Sequence, residues 1–328
     1  MNQKTDQVRK FENRVTLAGQ LEELTNIREG DTNDGVHYLS FRGKIRCTEE
    51  KGLSRRFSCF VKAKTADGRD SKLYPKIKSW LTNAVPATHD PNNATMVEFT
   101  ANPVDASYVN REGRLVEDTD FRIQFINDFT NYRADVDIDG YVKDIKEEMV
   151  GPDRDIPTGR YVMTLVSRDI YQNTLEFKRI ILTEDIYREM MNCGGYDVGT
   201  TSTFFVTLTP KVPEGSQSSG GFGVKHVDGR RPYFEWILCG ADKPVGDESP
   251  RAITPELAKR MMNERRIMLD EIERKGYQGS PSESTGSASR SGFGNSTAPA
   301  AKKPIKEVVE EDIDEIESPL GEDDDIPF

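Results

Sequence analysis

The chain has 328 residues, enough for two modest domains and a tail, and its formal net charge is −11. Residues 301–328 hold eleven acidic residues and three lysines, so −8 of this charge lies there and −3 remains for residues 1–300. The acidity of the whole chain therefore does not exclude nucleic-acid binding, because local patches on a nearly neutral body decide what it binds.

Composition and spacing argue against several other classes of protein. No apolar run approaches about 18 residues and no signal peptide is recognisable, so we expect a cytoplasmic protein without membrane contact. The three histidines form no metal-spaced cluster, and the glycine-rich segment 220–223 lacks the Lys-Ser/Thr and helix of a phosphate loop. The cysteines form no CxxC pair, which predicts buried free thiols: Cys47, Cys59, Cys193 and Cys239. We therefore expect neither catalysis nor a cofactor or metal.

The first predicted strand follows a polar segment, residues 1–13, that we expect to be flexible. Val15-x-Leu17-x-Gly19-x-Leu21 alternates with a period of two, which predicts a strand with one buried face. A glycine in mid-strand indicates a bulge or sharp bend, as the first strand of a small barrel requires. The same pattern returns as Val136-x-Ile138-x-Gly140-x-Val142, at a constant offset of 121 residues. The sequence therefore predicts an internal repeat.

The later elements recur in the same order in both copies. The first copy shows strands at 36–47 and 55–65, a helix at 72–83, and strands at 95–101 and 120–127. The second copy shows the counterparts at 160–170, 174–183, 184–193, 202–212 and 232–239. With the first strand of each copy included, the order is three strands, a helix and two strands. This is the order of the OB fold, a five-stranded Greek-key barrel. SH3-like barrels give a similar pattern, but the helix after strand three favours the OB fold.

We therefore predict a mainly β protein with two tandem OB-fold barrels, domain 1 over 14–131 and domain 2 over 132–246. Thr254-Pro255-Glu256 is a typical helix start, and a C-terminal helix is predicted within 247–277. Its broken apolar stripe can pack on the second barrel, as we expect, or on a partner chain. Residues 278–300 are predicted to be a flexible Gly/Ser-rich linker, and 301–328 a disordered acidic tail that docks partner proteins.

Alternation along strands two and three of the first copy predicts an exposed basic face. Leu39, Phe41 and Ile45 share the inward parity of strand two. The opposite parity places six cations and two aromatics outside: Tyr38, Arg42, Lys44, Arg46, Arg56, Phe60, Lys62 and Lys64. Cations neutralise phosphates and exposed rings stack on bases, so we predict that this face binds single-stranded DNA with little sequence preference. The alternative is a solvated face whose rings merely shield the barrel.

The connections between strands four and five supply further candidates. In the first copy, Tyr108 and Arg111 are candidates for binding single-stranded DNA. In the second copy the candidates are Phe222, Lys225, Arg230 and Arg231, which lie in a Gly/Ser-rich basic loop that we call the basic finger. Either connection can close over a bound strand or be an ordinary loop. The strand two–three face of the second copy has apolar residues at both parities. We expect it to pack against the first copy, a helix or a second subunit.

The sequence ends in three carboxylates followed by an apolar tip with an aromatic residue: Asp323, Asp324, Asp325, Ile326, Pro327 and Phe328. Acidic steering, an aromatic anchor and capture of the terminal carboxylate are typical of a docking peptide. An ordinary solubilising acidic tail is the alternative. We also expect the tail to compete with DNA for the basic face.

This tip, together with Asn13-Arg14-Val15-x-Leu17-x-Gly19-x-Leu21, resembles bacterial single-stranded DNA-binding proteins, which end in Asp-Asp-Asp-Ile/Leu-Pro-Phe. The resemblance implies binding of single-stranded DNA and recruitment of replication, recombination and repair enzymes through the tip. That family usually has one OB domain per chain. The tandem copy and long loops look more like a bacteriophage or mobile-element version, acting in the bacterial cytoplasm. The family's tetrameric assembly is therefore not carried over, although a homo-oligomer is possible.

Two other functions fit the sequence. One is an adaptor or host-takeover protein that binds nucleic acid weakly and uses its tail to occupy the pockets of host enzymes. The other is an RNA-binding OB protein.

Overall fold

The structure is a computed structural model that describes residues 10–49, 53–150, 156–211, 233–246 and 248–277. Within these residues, the elements in chain order are β1 (Arg14–Asp31), β2 (His37–Arg46), β3 (Arg55–Lys62), α1 (Leu73–Asn83), β4 (Met96–Asp105), β5 (Tyr108–Val109), β6 (Leu115–Val116), β7 (Thr119–Asn127), β8 (Arg133–Val150), β9 (Ile156–Arg168), β10 (Thr174–Leu182), α2 (Glu184–Cys193), β11 (Thr201–Lys211), β12 (Tyr233–Ala241) and α3 (Pro255–Lys275).

Ten of the described strands form two closed five-stranded rings. In the first, the order β1-β2-β3-β7-β4 closes through pairing of β4 with β1. In the second, β8-β9-β10-β12-β11 closes through pairing of β11 with β8. Only β3–β7 and β10–β12 are parallel within the rings. The helices α1 and α2 follow the third strand of their rings. This is the OB topology, and the predicted pair of OB barrels is confirmed.

The long first strand of each ring serves two neighbours. Residues 15–20 of β1 pair with β4, and the part from Gln20 onward pairs with β2. At the change of partner, a Cβ on Gly19 would overlap the carbonyl oxygen of Arg46. Close approach of two backbones is therefore what requires glycine there. The bulges in β1 come later, between Leu21 and Glu23 and between Thr25 and Arg28.

The two barrels are joined strand to strand. The N-terminal part of β1 pairs antiparallel with β8, from Arg14 opposite Asp137 to Ala18 opposite Arg133, so the rings form one ten-stranded sheet. The buried apolar residues of both barrels also form one continuous cluster. Phe121 and Trp236 meet across it with ring centroids 6.2 Å apart.

The helix α3 packs on the outside of the second barrel. Ala258 and Met261 are buried with Val166 of β9, and Phe11 and Ile253 complete this second apolar cluster. The helix therefore packs within the chain, as expected from its apolar stripe. At the start of the described chain Asn13 is also buried, and its amide donates to Ser167 Oγ at 2.9 Å and to the Arg168 carbonyl at 2.7 Å. The last residues of the segment predicted to be flexible are thus packed, and residues 1–9 lie outside the described chain.

The chain divides into two compact units, Met1–Asp105 with Asp118–Met268, and Ala106–Glu117 with Leu269–Phe328. The described part of the second unit contains the β5–β6 hairpin and the end of α3. Asn110 Oδ1 accepts from the Glu112 and Arg114 amides at 3.0 and 2.9 Å, which closes the hairpin turn. Arg111 Nε donates to the Tyr277 hydroxyl at 3.1 Å.

Two features concern the expected chemistry of the chain. Cys47 and Cys59 are buried, whereas Cys193 and Cys239 are exposed, so the prediction of buried thiols is wrong for two of the four. Cys193 lies at the end of α2, and Cys239 lies on the outer side of β12. None of the described helices is long and apolar enough to cross a membrane.

Candidate nucleic-acid interface

An aromatic pair lies on the outer surface of β2 and β3, near the start of β2 and the end of β3. Tyr38 and Phe60 stack with ring centroids 5.3 Å apart and planes inclined by 29°. Ser40 pairs with Phe60 and Tyr38 pairs with Lys62, so the two rings are diagonal neighbours across the strands. Both side chains are partly exposed. Inward residues of the same strands, such as Phe41 and Phe57, fill the barrel and hold these rings outward.

Cations surround this pair. We call the outward residues of β2 and β3 the basic face: Tyr38, Arg42, Lys44, Arg56, Phe60 and Lys62. Arg42 lies opposite Ser58, and Lys44 lies opposite Arg56. Lys64, just after β3, is exposed, and its backbone forms an isolated β-bridge with that of Asp70.

Three of these cations have carboxylate partners that strand parity did not indicate. Lys44 pairs with Glu23 at 2.8 Å, Arg56 pairs with Asp118 at 2.7 Å, and Lys62 lies 3.9 Å from Asp34. The acids come from β1, from the β1–β2 turn and from the segment before β7, which are distant in the sequence. Ion pairs between partly exposed groups contribute little, about 0–1 kcal/mol. A phosphate can therefore replace these carboxylates at small cost.

Arg46 differs from the other predicted cations. It is 8% exposed, Nε lies 3.5 Å from Glu22, and the guanidinium donates to the carbonyl of Glu49 at 2.8 Å and to the side chain of Gln20. Its parity is outward, but β1 and the segment after β2 cover it. The prediction of an exposed, strand-binding Arg46 is thus at odds with the structure. The side chain instead ties β2 to β1.

The helix α3 covers part of the corresponding surface of the second barrel, whereas Lys178 and Arg179 of β10 are exposed. Arg265 of α3 is buried and donates to Asp105 Oδ1 at 3.0 Å and to the Thr174 carbonyl at 2.8 Å. Arg168 of β9 forms a salt bridge of 2.6 Å with Glu264 of the same helix. Of the alternatives left open by the apolar residues at both parities, the helix is the one observed. The outer surfaces of the two barrels are therefore not equivalent.

The remaining predicted residues fall elsewhere. Tyr108 and Arg111 belong to the second compact unit, on and beside its hairpin. The basic finger (Phe222, Lys225, Arg230, Arg231) and the acidic tip (Asp323, Asp324, Asp325, Ile326, Pro327, Phe328) lie outside the described residues.

Sequence reasoning missed two residues beside the basic face. Arg122 of β7 lies opposite Ser58 in the parallel pairing with β3. Tyr171 follows β9 in the second barrel, and its ring centroid is 5.2 Å from the Arg122 guanidinium carbon. The outward parity of Arg122 between buried Phe121 and Ile123 was a usable signal. Nothing in the sequence indicated that Tyr171 would lie next to the first barrel.

A charged cluster supports the start of β2. His37 lies 2.9 Å from both Glu29 and Asp31, and these carboxylates raise its pKa. Lys78 of α1, with His37 and the Tyr74 hydroxyl, lowers the pKa of Glu29 to about 2.

Burial raises the pKa of the Cys47 and Cys59 thiols to about 12, so these thiols are not nucleophilic near neutral pH. The described residues contain no cluster of three or more His, Cys, Asp or Glu suited to a metal ion.

Two solved structures of single-stranded DNA-binding proteins are similar to this chain in part. The structure of the single-stranded DNA-binding protein from Thermus aquaticus shares 13% identity, with 74% of this chain and 97% of that one covered and a TM-score of 0.40. The mitochondrial single-stranded DNA-binding protein Rim1 from S. cerevisiae shares 12% identity over 38% of this chain and 98% of its own, with a TM-score of 0.23. No curated protein sequence matches. The family model YorF matches residues 12–275, most of the chain, and the protein therefore belongs to the YorF family.

Proposed function

We propose that this protein binds single-stranded DNA on the basic face of its first barrel, coats the strand and protects it. The observation that carries the proposal is the Tyr38–Phe60 stack, partly exposed and flanked by Arg42, Lys44, Arg56 and Lys62. A flat aromatic pair offers bases a stacking platform, and the flanking cations meet the phosphates on either side. The outer surface of strands two and three is also the side on which OB folds hold oligonucleotides.

The geometry favours an unpaired strand over a duplex. Bases stack on Tyr38 and Phe60 only if they are turned toward the protein, and in a duplex their faces are already covered by neighbouring pairs. The cations that flank the rings are expected to contact phosphates, which carry no sequence information. Binding is therefore expected to tolerate any sequence and to weaken steeply with added salt.

Fluorescence anisotropy with labelled single-stranded DNA, RNA and duplex DNA tests this function. Phe60→Ala and Tyr38→Ala each remove one ring, and we expect about a fivefold or greater loss of affinity for single-stranded DNA. Phe205→Ala is the matched control, because Phe205 is an exposed aromatic on β11 paired with Asp137, away from the basic face. If both ring variants bind like the unaltered protein, the basic face is not the binding site.

Charge and stacking can be separated in the same assay. The double change Arg42→Ala with Lys44→Ala is expected to reduce the slope of log affinity against log salt by about 1.4, because each phosphate contact on a single strand contributes about 0.7, whereas Phe60→Ala leaves that slope unchanged. Tighter binding of RNA than of DNA would favour the RNA-binding alternative. Weak binding to every nucleic acid would favour the adaptor alternative.

We further propose that the acidic tip recruits enzymes of replication, recombination or repair. The support is chemical: Phe328 supplies an aromatic anchor, and three aspartates precede Ile326 and Pro327. Removing Phe328 is expected to leave the affinity for single-stranded DNA unchanged. Deleting residues 301–328 is expected to raise that affinity at low salt, because a competing anionic segment is lost. Unchanged affinity after the deletion would contradict competition by the tail.

A further inference from the structure

A turn of the second barrel carries an exposed aromatic residue close to the basic face of the first. Tyr171 lies between β9 and β10 and is 53% exposed. Its hydroxyl accepts a hydrogen bond from the guanidinium of Arg122, which also lies over its ring. Arg122 is opposite Ser58 of β3, two residues from Phe60. Tyr171 therefore continues the row of outward side chains that begins with Tyr38 and Phe60.

The turn that holds Tyr171 is fixed by a buried carboxylate. Asp169 is 3% exposed, and its Oδ1 accepts from the amides of Tyr171 and Asn173, both at 2.8 Å. Its Oδ2 accepts from the Asn173 side chain at 3.1 Å and from the Asp105 amide of β4 at 3.4 Å. Gln172 completes the turn with a left-handed φ of 70°. The exposed ring is thus presented in one position, anchored to the first barrel, and little ordering is left for a ligand to induce.

Arg122 differs from the neighbouring cations in its electrostatic environment. Lys44, Arg56 and Lys62 each have a carboxylate partner, whereas no carboxylate in the described chain pairs with Arg122. Arg122 instead contacts the ring and the hydroxyl of Tyr171. A guanidinium stacked on an aromatic ring keeps its outer edge available for a phosphate.

We propose that Arg122 and Tyr171 form a second contact point for the strand bound on the basic face. One single-stranded segment then runs from the Tyr38–Phe60 stack across the barrel junction, with a phosphate on Arg122 and a base on the ring of Tyr171. This inference rests on the proposed function of the first barrel. It adds a binding residue from the second barrel, whose own strand two–three surface is covered in part by α3.

Strand length separates the two contact points in a binding experiment. We would compare thymidine oligonucleotides of about five and about twenty nucleotides, which bracket the sites occupied by single OB folds. Tyr171→Ala is expected to weaken binding of the longer strand about fivefold or more and to leave the shorter one unchanged. Tyr171→Phe keeps the ring but loses the hydroxyl, and is expected to bind the longer strand like the unaltered protein. Phe205→Ala again serves as the control.

Different results are expected if the contact between Arg122 and Tyr171 only stabilises the packing of the two barrels. In that case Tyr171→Ala and Tyr171→Phe lower the thermal unfolding midpoint without changing affinity for either oligonucleotide, and the proposal is overturned. Photo-crosslinking of a strand carrying 5-iododeoxyuridine, followed by peptide mapping, provides a second measurement. An adduct on Tyr171 supports the proposal, and adducts confined to Tyr38 or Phe60 overturn it.

The same measurements distinguish failure of this inference from failure of the proposed function. If Phe60→Ala weakens binding and Tyr171→Ala does not, the basic face stands and only the second contact point is wrong. If the unaltered protein binds neither oligonucleotide, both are wrong.

Discussion

Gly19 shows how one residue without a side chain permits the first barrel to close. A Cβ at this position would overlap the carbonyl oxygen of Arg46 and lie 2.7 Å from its carbonyl carbon. We expect Gly19→Ala to lower the free energy of unfolding by about 1–3 kcal/mol, because backbone would have to shift. Urea unfolding measures the change. Gly246→Ala is the control, since nothing lies within 4 Å of its added methyl group. Equal stability of the two variants would contradict this account.

His37 gives the fold a pH-dependent contact. Because Glu29 and Asp31 raise its pKa in the folded protein, protonated His37 stabilises the fold below the unfolded pKa. This contribution is lost as the pH rises through the raised, folded-state pKa. The group is exposed, so the effect on stability is small. We expect Glu29→Gln to lower the pKa of His37, measured by NMR titration of the imidazole, and Asp31→Asn to lower it less. An unchanged titration in Glu29→Gln would disprove the contact with Glu29.

At the level of single residues, the sequence predicted orientation better than partners. Period-two alternation correctly placed Leu39, Phe41 and Ile45 inside the barrel. It also assigned Arg46 to the outside, where β1 covers it with Glu22. Parity along one strand says which side a residue takes. It does not say which residues of other strands lie on that side.

Among the elements, α3 packs on β9 and β10 of the second barrel. Arg265, 5% exposed in its side chain, pairs with the equally buried carboxylate of Asp105. We expect Arg265→Ala to lower the free energy of unfolding by about 3–5 kcal/mol, because a buried ion pair loses its cation. Hydrogen exchange of the α3 amides should accelerate in the same variant. Arg266→Ala, on the exposed side of the helix, is the control. Similar stability of both variants would argue against the buried pair as the anchor.

The start of α3 and its packing within the chain could be predicted from Thr254, Pro255 and the apolar stripe. Its position over β9 and β10 could not, because a stripe specifies a buried face and not what buries it. The acidic and basic partners Asp105 and Arg265 are 160 residues apart. No local pattern connects them.

In the whole molecule, a shared core and a shared sheet couple the two barrels. The chain has two tryptophans, Trp80 on α1 of the first barrel and Trp236 on β12 of the second. We expect Trp80→Phe and Trp236→Phe, each leaving one reporter, to give coincident changes in fluorescence during urea unfolding. Near-ultraviolet circular dichroism of the unaltered protein is the control. Separated midpoints for the two reporters would mean that the barrels unfold independently.

The repeat at an offset of 121 residues and the order of elements were sufficient to predict two OB barrels. The pairing of β1 with β8 was not predictable, because alternation leaves the choice of neighbouring strand open once a ring has closed. For the same reason the position of Tyr171 beside Arg122 could be found only in three dimensions.

On the proposed function, the hydrogen bonds between β1 and β8 have a consequence for the length of DNA that each molecule covers. Only residues 128–132 separate β7, the last strand of the first ring, from β8, the first strand of the second. The pairing of β1 with β8 holds the two rings in one relative orientation. Modules joined by flexible tethers alter their span as ionic conditions change. Here the shared sheet fixes the distance between the two barrels. The number of nucleotides covered by each protein molecule is therefore expected to stay constant from dilute to concentrated salt.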